Sequence, residues 1–279
     1  ELKVELRVAA DNVRYKRMTS SELRDTFLVD NLFVADEVPM TYSDIDRGVI
    51  ASAVPVNKKL ELPIHKELAC EYFTQRRELG VLNIGGSGKV VVNGQEYALC
   101  FEDSLYIGKG NENIVFESDD SSSPAKFYIV SYPAHMAYPT KKISKDMATK
   151  IDMGSLETSN KRTIYQSISP DTVDTCQIVM GFTCLEPGSV WNTMAPHTHR
   201  RRSEYYMYYT LSPEDIVFHF MGEPDNVRPL VMRNQQTALS PSWSIHSGCG
   251  TKAYTFCWSM GGENQEFTDM DHLTVNEIF

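Results

Sequence analysis

The residues best suited to chemistry lie in two stretches in the second half of the chain. Residues 196–206 read PHTHRRRSEYY and supply His197, His199 and Glu204; residues 239–248 read LSPSWSIHSG and supply His246. On a strand, positions i and i+2 face one side, so His197 and His199 are expected to point together into one interior. Glu204 has the wrong parity for a straight continuation, so a turn or bulge at residues 200–203 must swing it back, and a turn bracketed by Pro241 and Gly248 is expected to deliver His246. Three imidazoles and one carboxylate form a set of N and O ligands that suits Zn, Mn, Fe, Co or Ni better than Ca or Mg. The absence of thiolates argues against a structural zinc ribbon.

The elements that must position these groups read as mostly strand. Short runs of Val, Ile, Tyr, Phe and Leu are broken every eight to twelve residues or so by Gly, Pro, Asn or Asp, the spacing of an all-β sandwich or barrel. Thr19-Ser-Ser-Glu22 is a capping box, with Leu23, Phe27 and Leu28 on one face of the short helix it starts. In KVVVNGQEYAL, residues 89–99, Asn93-Gly94 supplies a type I′ turn between two arms of a hairpin. Residues 117–124, ESDDSSSP, form a surface loop. Pro133 to Arg162, rich in Lys and small polar residues, is expected to connect two β units with at most one irregular turn of helix.

A weak internal repeat relates residues 75–84 (QRRELGVLNI) to 200–211 (RRRSEYYMYYTL), and 103–110 (DSLYIGKG) to 236–243 (QTALSPSW). It divides the chain into an N-terminal barrel over 1–135 and a C-terminal barrel with its preceding linker over 136–279. In the first half Glu78 aligns with Glu204 but no H-x-H precedes it, and Asn113 falls near the place of His246. The N-terminal barrel is therefore expected to lack a metal site.

Composition narrows the partners. With 37 acidic and 27 basic side chains the formal charge is −10, which repels polyanions, so neither nucleic acid nor an anionic membrane is expected. No apolar run approaches the length of a membrane span, and the charged, alternating opening ELKVELRVAADNVRYKR has no signal-peptide core. The chain opens on Glu1 in place of Met, which leaves room for a missing N-terminal piece or a trimmed leader. None of the six cysteines makes a C-x-x-C pair, and a reducing, cytoplasmic setting is expected. GGSGK at 85–89 lacks the first Gly and the Ser/Thr of a P-loop, and YYMYY at 205–209 reads as the wall and core of a strand. Cys249 and Cys257 read as packing residues.

H-x-H, a Glu a few residues on and a third His behind a Pro-bearing turn resemble the two metal motifs of the cupin superfamily. WNTMAPHTHRRRSE, VFHFMGEPDNVRPLVMRNQQTALSPSWSIHSGCGTKAYTF and GGENQEFTDMDH narrow this to a close resemblance to the 5-keto-4-deoxyuronate isomerase (4-deoxy-L-threo-5-hexosulose-uronate ketol-isomerase) family. FLVDNLFVADEVPMTYSDIDR, RRELGVLNIGGSGKV, LYIGKG, PAKFYIV and YPTKK extend it over nearly the whole chain. The resemblance implies a two-domain cupin (bicupin) of two antiparallel jelly-roll barrels, a zinc ion in the C-terminal barrel, a homohexamer and a role in pectin degradation. Ligand by ligand it carries over to His197, His199, Glu204 and His246.

The implied reaction converts 5-dehydro-4-deoxy-D-glucuronate to 3-deoxy-D-glycero-2,5-hexodiulosonate, moving a carbonyl from C1 to C2 through an enediolate. Zinc would serve as a Lewis acid, expanding beyond four protein ligands to take water or substrate. Glu204, Lys142, Tyr254 and His135 are the candidate proton carriers, and Arg162 or Arg201 could fork onto the substrate carboxylate. Two other classes share the ligand set: an iron-dependent cupin dioxygenase and a non-catalytic cupin that binds a sugar acid.

Overall fold

The computed structural model describes residues 4–279, so Glu1–Lys3 of the alternating opening lie outside the described residues. One α-helix, Ser20–Phe27, and a few 3-10 turns accompany a fold otherwise built of strands. The helix starts as its sequence dictates. Thr19 Oγ1 accepts the Glu22 backbone N–H at 3.2 Å, Glu22 Oε2 accepts the Thr19 N–H at 2.7 Å, and Leu23 and Phe27 are buried. Among the described residues no helix is long and apolar enough to cross a membrane.

The chain divides into two compact units. The first holds the residues up to Leu6, Asn31–Thr149 and Ser167–Met180; the second holds Arg7–Asp30, Lys150–Gln166 and Gly181–Phe279. In the first, a seven-stranded sheet runs Glu5–Arg7, Met40–Ser43, Val49–Ala53, Phe127–Pro133, Arg77–Asn83, Ser104–Ile107, Lys141–Ile143. A four-stranded sheet runs Leu60–Glu61, Ile114–Ser118, Gly88–Val92, Gln95–Leu99. Leu79, Val81, Val90, Leu105, Phe116 and Phe127 join one apolar core. Asn93 and Gly94, at φ 48° and 83°, close the hairpin between Gly88–Val92 and Gln95–Leu99.

The second unit repeats the same plan. Its seven-stranded sheet runs Thr149–Met153, Arg162–Ile168, Val179–Leu185, Thr255–Gly262, Arg202–Tyr209, Gln236–Ser240, Leu28–Val29. Its four-stranded sheet runs Trp191–Asn192, Ile245–Gly250, Val217–Gly222, Arg228–Met232. A further pair, His197–Thr198 with Asp271–His272, stands apart from both.

The division is thus not one cut between residues 135 and 136. Leu28–Val29, early in the chain, pairs with Gln236–Ser240 in the second unit. The stretch expected as a connection with one irregular turn of helix has that turn, a 3-10 turn at Lys145–Met147, but it also carries the strands Lys141–Ile143 and Thr149–Met153. Both strands lie at sheet edges, where one side faces water. Their Lys-rich, half-exposed sequences need not alternate, which is why they carry no strand signature.

Candidate metal centre

His197 sits on the two-residue strand His197–Thr198, directly opposite His272. The chain then turns: the Arg202 N–H donates to the His199 carbonyl at 3.0 Å, and this turn restores Glu204 to the side its parity had denied it. His199 Nδ1 donates to the Arg202 carbonyl at 2.9 Å, so its Nε2 carries the lone pair. Glu204 lies on the strand Arg202–Tyr209, between Ser240 on one neighbour and Met260 on the other. A turn closed by the Ser244 N–H on the Pro241 carbonyl at 2.9 Å leads into Ile245–Gly250, which presents His246. Its Nδ1 is 3.2 Å from Ser240 Oγ, which leaves Nε2 facing the others.

The four ligand atoms lie within 4.8 Å of one another, all on buried residues, and among the described residues this is the one such group. Glu204 Oε2 is 3.0 Å from His199 Nε2 and 2.9 Å from His246 Nε2. The Nε2 atoms of His246 and His197 are 3.0 Å apart. Burial, reinforced by the neighbouring His246, pushes His197 down to about 2, so it is neutral at ordinary pH. Burial pushes Glu204 upward, but the His246 and His199 imidazoles outweigh it and hold the carboxylate well below its usual range. His199 is raised against its own burial by the hydrogen bond to Glu204. An ionised carboxylate and imidazoles turned nitrogen to nitrogen supply more lone pairs than protons. A divalent first-row cation satisfies that surplus, so the donor set fits a metal.

His197 and Glu204 also line a cavity of about 270 Å³. Phe256, Trp258 and Met260 wall it, and Arg162 and Tyr206 bring polar groups to it. Arg162 donates through Nη1 to the Asn160 carbonyl at 2.9 Å, and burial depresses its pKa. A partly desolvated guanidinium facing a cavity is suited to a carboxylate.

The other candidates fall elsewhere. Arg201 is engaged by Asp269 and Asp271, as a fork that ties down the segment bearing His272, and does not line the cavity. Tyr254 is buried and donates to Asn192 Oδ1. Lys142 belongs to the first unit and pairs with Asp103 at 3.7 Å; His135, in the same unit, is exposed. Neither lines the cavity.

In the first unit the repeat is displaced by one residue from its sequence alignment. The Glu102 N–H bonds the Asn83 carbonyl as the Gln235 N–H bonds the Tyr208 carbonyl, both at 2.7 Å. Counting back four places makes Leu79, not Glu78, the counterpart of Glu204. Glu78 projects to the opposite face, where it accepts the N–H groups of Cys176, Gln177 and Ile178 at 2.8–3.0 Å and the Tyr106 phenol at 2.6 Å. Asn113 is exposed and bonds Asn93. The residues sequence reasoning passed over are Tyr206, folded into the aromatic stripe, and Asn192, Thr193 and His272, which carry no motif.

A model of the KduI/IolB family matches residues 34–275. The protein named 4-deoxy-L-threo-5-hexosulose-uronate ketol-isomerase from Lachnoclostridium phytofermentans is 52% identical over 275 residues, covering 99% of this chain and 100% of that one. The protein of the same name from Enterobacter sp. is 48% identical over 277 residues, with 99% and 100% covered. Among solved structures, an IolB-like protein from Salmonella typhimurium superposes with a TM-score of 0.71 at 11% identity, over 89% of this chain and 97% of that one. A single-site mutant of Bacillus subtilis oxalate decarboxylase gives 0.57 at 11% identity, over 81% and 71%. These likenesses show the fold, a pair of jelly-roll β units of the cupin kind.

Proposed function

The chain belongs to the KduI/IolB family, and from that membership we propose that it is a ketol-isomerase acting on 5-dehydro-4-deoxy-D-glucuronate, with one zinc ion held by His197, His199, Glu204 and His246. The observation that carries this reading is the convergence of four buried ligand atoms, within 4.8 Å of one another, at a cavity that Arg162 also lines. When bound, the cation supplies Lewis acidity against the negative charge that develops on the substrate's oxygens. Arg162 receives the carboxylate at the far end of the sugar acid. The apolar wall of Phe256, Trp258 and Met260 suits the C4 methylene of a deoxy sugar, since a hydroxyl there would lose its water without gaining a partner.

Of the four candidate proton carriers Glu204 alone lines the cavity, and it is held ionised. It takes the C2 proton on a carboxylate oxygen and returns it at C1, while the hydroxyl proton passes from the C2 oxygen to the C1 oxygen, so that the isomerisation gains and loses nothing overall. Its depressed proton affinity makes it a weak base, so the C2–H must be acidified by donors aimed at the neighbouring oxygens.

The homohexamer, the cytoplasmic setting and the place in pectin and uronate breakdown belong to the same proposal. The test is a coupled assay of product formation on wild type and His197→Ala, with metal content measured for both. Loss of metal and turnover together in a folded variant is expected; full activity without metal would sink the proposal. Anaerobic turnover would exclude an oxygen-consuming dioxygenase, and binding without conversion would revive the non-catalytic cupin.

A further inference from the structure

Behind the cavity wall, three buried or half-buried side chains form a line that ends on Tyr206. The Tyr254 hydroxyl donates to Asn192 Oδ1. Asn192 Nδ2 donates to Thr193 Oγ1 at 3.1 Å. Thr193 Oγ1 lies 3.1 Å from the Tyr206 hydroxyl. Asn192 is 0% and Tyr254 1% exposed, so neither bond is exchanged for water. Gly248 lies opposite Asn192 on the neighbouring strand, and a Cβ there would come within 2.6 Å of Asn192 Oδ1 and 3.2 Å of the Tyr254 hydroxyl. The space for this junction is left by a missing side chain.

The line has a direction. An amide nitrogen only donates, so Thr193 must accept from Asn192. A hydroxyl has one hydrogen, and the remaining partner of the Thr193 hydroxyl is Tyr206. Among the described residues Tyr206 is the one protein acceptor within reach of the Thr193 hydrogen, so the arrangement that pairs that hydrogen has Thr193 donating to the phenol oxygen and leaves the phenol's own hydrogen over. Thr193 is the one protein partner of the Tyr206 hydroxyl among the described residues, and Tyr206 lines the cavity two residues along the same strand face from Glu204.

We propose that the Tyr206 phenol donates a hydrogen bond to a substrate oxygen that gains negative charge at the reacting carbons, and that Tyr254, Asn192 and Thr193 are positioning residues that keep its hydrogen turned toward the cavity. This rests on the ketol-isomerase reading. Tyr206 stays a neutral phenol throughout; nothing is oxidised and no proton leaves it.

The test is steady-state kinetics on the zinc-loaded full chain with the deoxyketouronate, metal content and melting temperature being recorded for each variant. Tyr206→Phe should lose about a hundredfold in kcat with KM little changed, the usual cost of one donor to a developing oxyanion. Asn192→Asp keeps the shape but cannot donate to Thr193. It should turn the line around and lose kcat comparably, and combined with Tyr206→Phe it should lose no more than Tyr206→Phe alone. Thr193→Val should behave like Tyr206→Phe while Thr193→Ser retains activity, and this pair decides the matter if Tyr206→Phe fails to fold. A metal-loaded Tyr206→Phe with wild-type kcat, or losses that add in the double variant, would overturn the proposal. If wild type binds the ketouronate without converting it, the function reading fails and calorimetric affinity decides here: about tenfold weaker binding by Tyr206→Phe supports the donor, unchanged affinity refutes it. Wild type that neither binds nor converts it refutes both.

Discussion

Leu79 stands in the first unit where Glu204 stands in the second, each four residues before the carbonyl that closes the same turn. The counterpart of a ligand carboxylate is thus a leucine in a closed apolar core. The two units share a strand plan, and the donors stand in the second. Metal analysis of the purified chain should give one ion per polypeptide, and His246→Ala should reduce that to none. A second equivalent that survives the substitution would contradict this.

Arg162 and Arg201 are the same residue type with opposite fates. Arg162→Met should raise KM roughly 10- to 100-fold, the loss of a charge-assisted pair, with metal retained. Arg162→Lys should recover only part of it, because an ammonium lacks the fork. Arg201→Met should leave KM within about twofold, its guanidinium being engaged by Asp269 and Asp271 in place of substrate. The reverse ranking in initial-rate measurements would move the carboxylate site.

Gly248→Ala forces a methyl group against Asn192 Oδ1 at 2.6 Å and the Tyr208 hydroxyl at 2.9 Å. Overpacking of this kind costs about 1–3 kcal/mol. Urea unfolding should show a lower midpoint with an unchanged slope; an unshifted midpoint would mean that the strand slides aside.

Acid should weaken the metal-free protein. His197 and His219 are pushed down to about 2 and about 3, chiefly by burial, whereas in the unfolded chain they take protons below 6.5. Between those limits the unfolded chain holds more protons, so stability falls as pH drops. Glu204, held ionised, adds to the loss as pH falls through the carboxylate range, while the raised His199 opposes it. The denaturation midpoint of chelator-treated protein should be lower at pH 5 than at pH 7.5, and a midpoint that rises on acidification would reverse the sign.

Much of this was legible in the sequence where one local rule decided. The capping box at Thr19, the Asn93-Gly94 turn and the common facing of His197 and His199 each follow from spacing alone. Glu204 was legible because its wrong parity demanded a turn, and the turn is there. What escaped depends on partners distant in sequence. Only Asp269 and Asp271 distinguish Arg201 from Arg162, and nothing near Thr193 announces that its hydroxyl meets Tyr206. The edge strands Lys141–Ile143 and Thr149–Met153 hid because a half-exposed strand needs no apolar alternation. The one-residue displacement of Glu78 hid because faint similarity does not fix register, and one step turns a side chain to the other face.

The pairing of Leu28–Val29 with Gln236–Ser240 bears on how the polypeptide matures. This short edge leaves the ribosome long before its partner exists, so the sheet that carries Glu204 stays unfinished until most of the chain has been synthesised. Such distant closure slows folding, and nascent chains stopped before residue 236 should remain open to protease along 7–30.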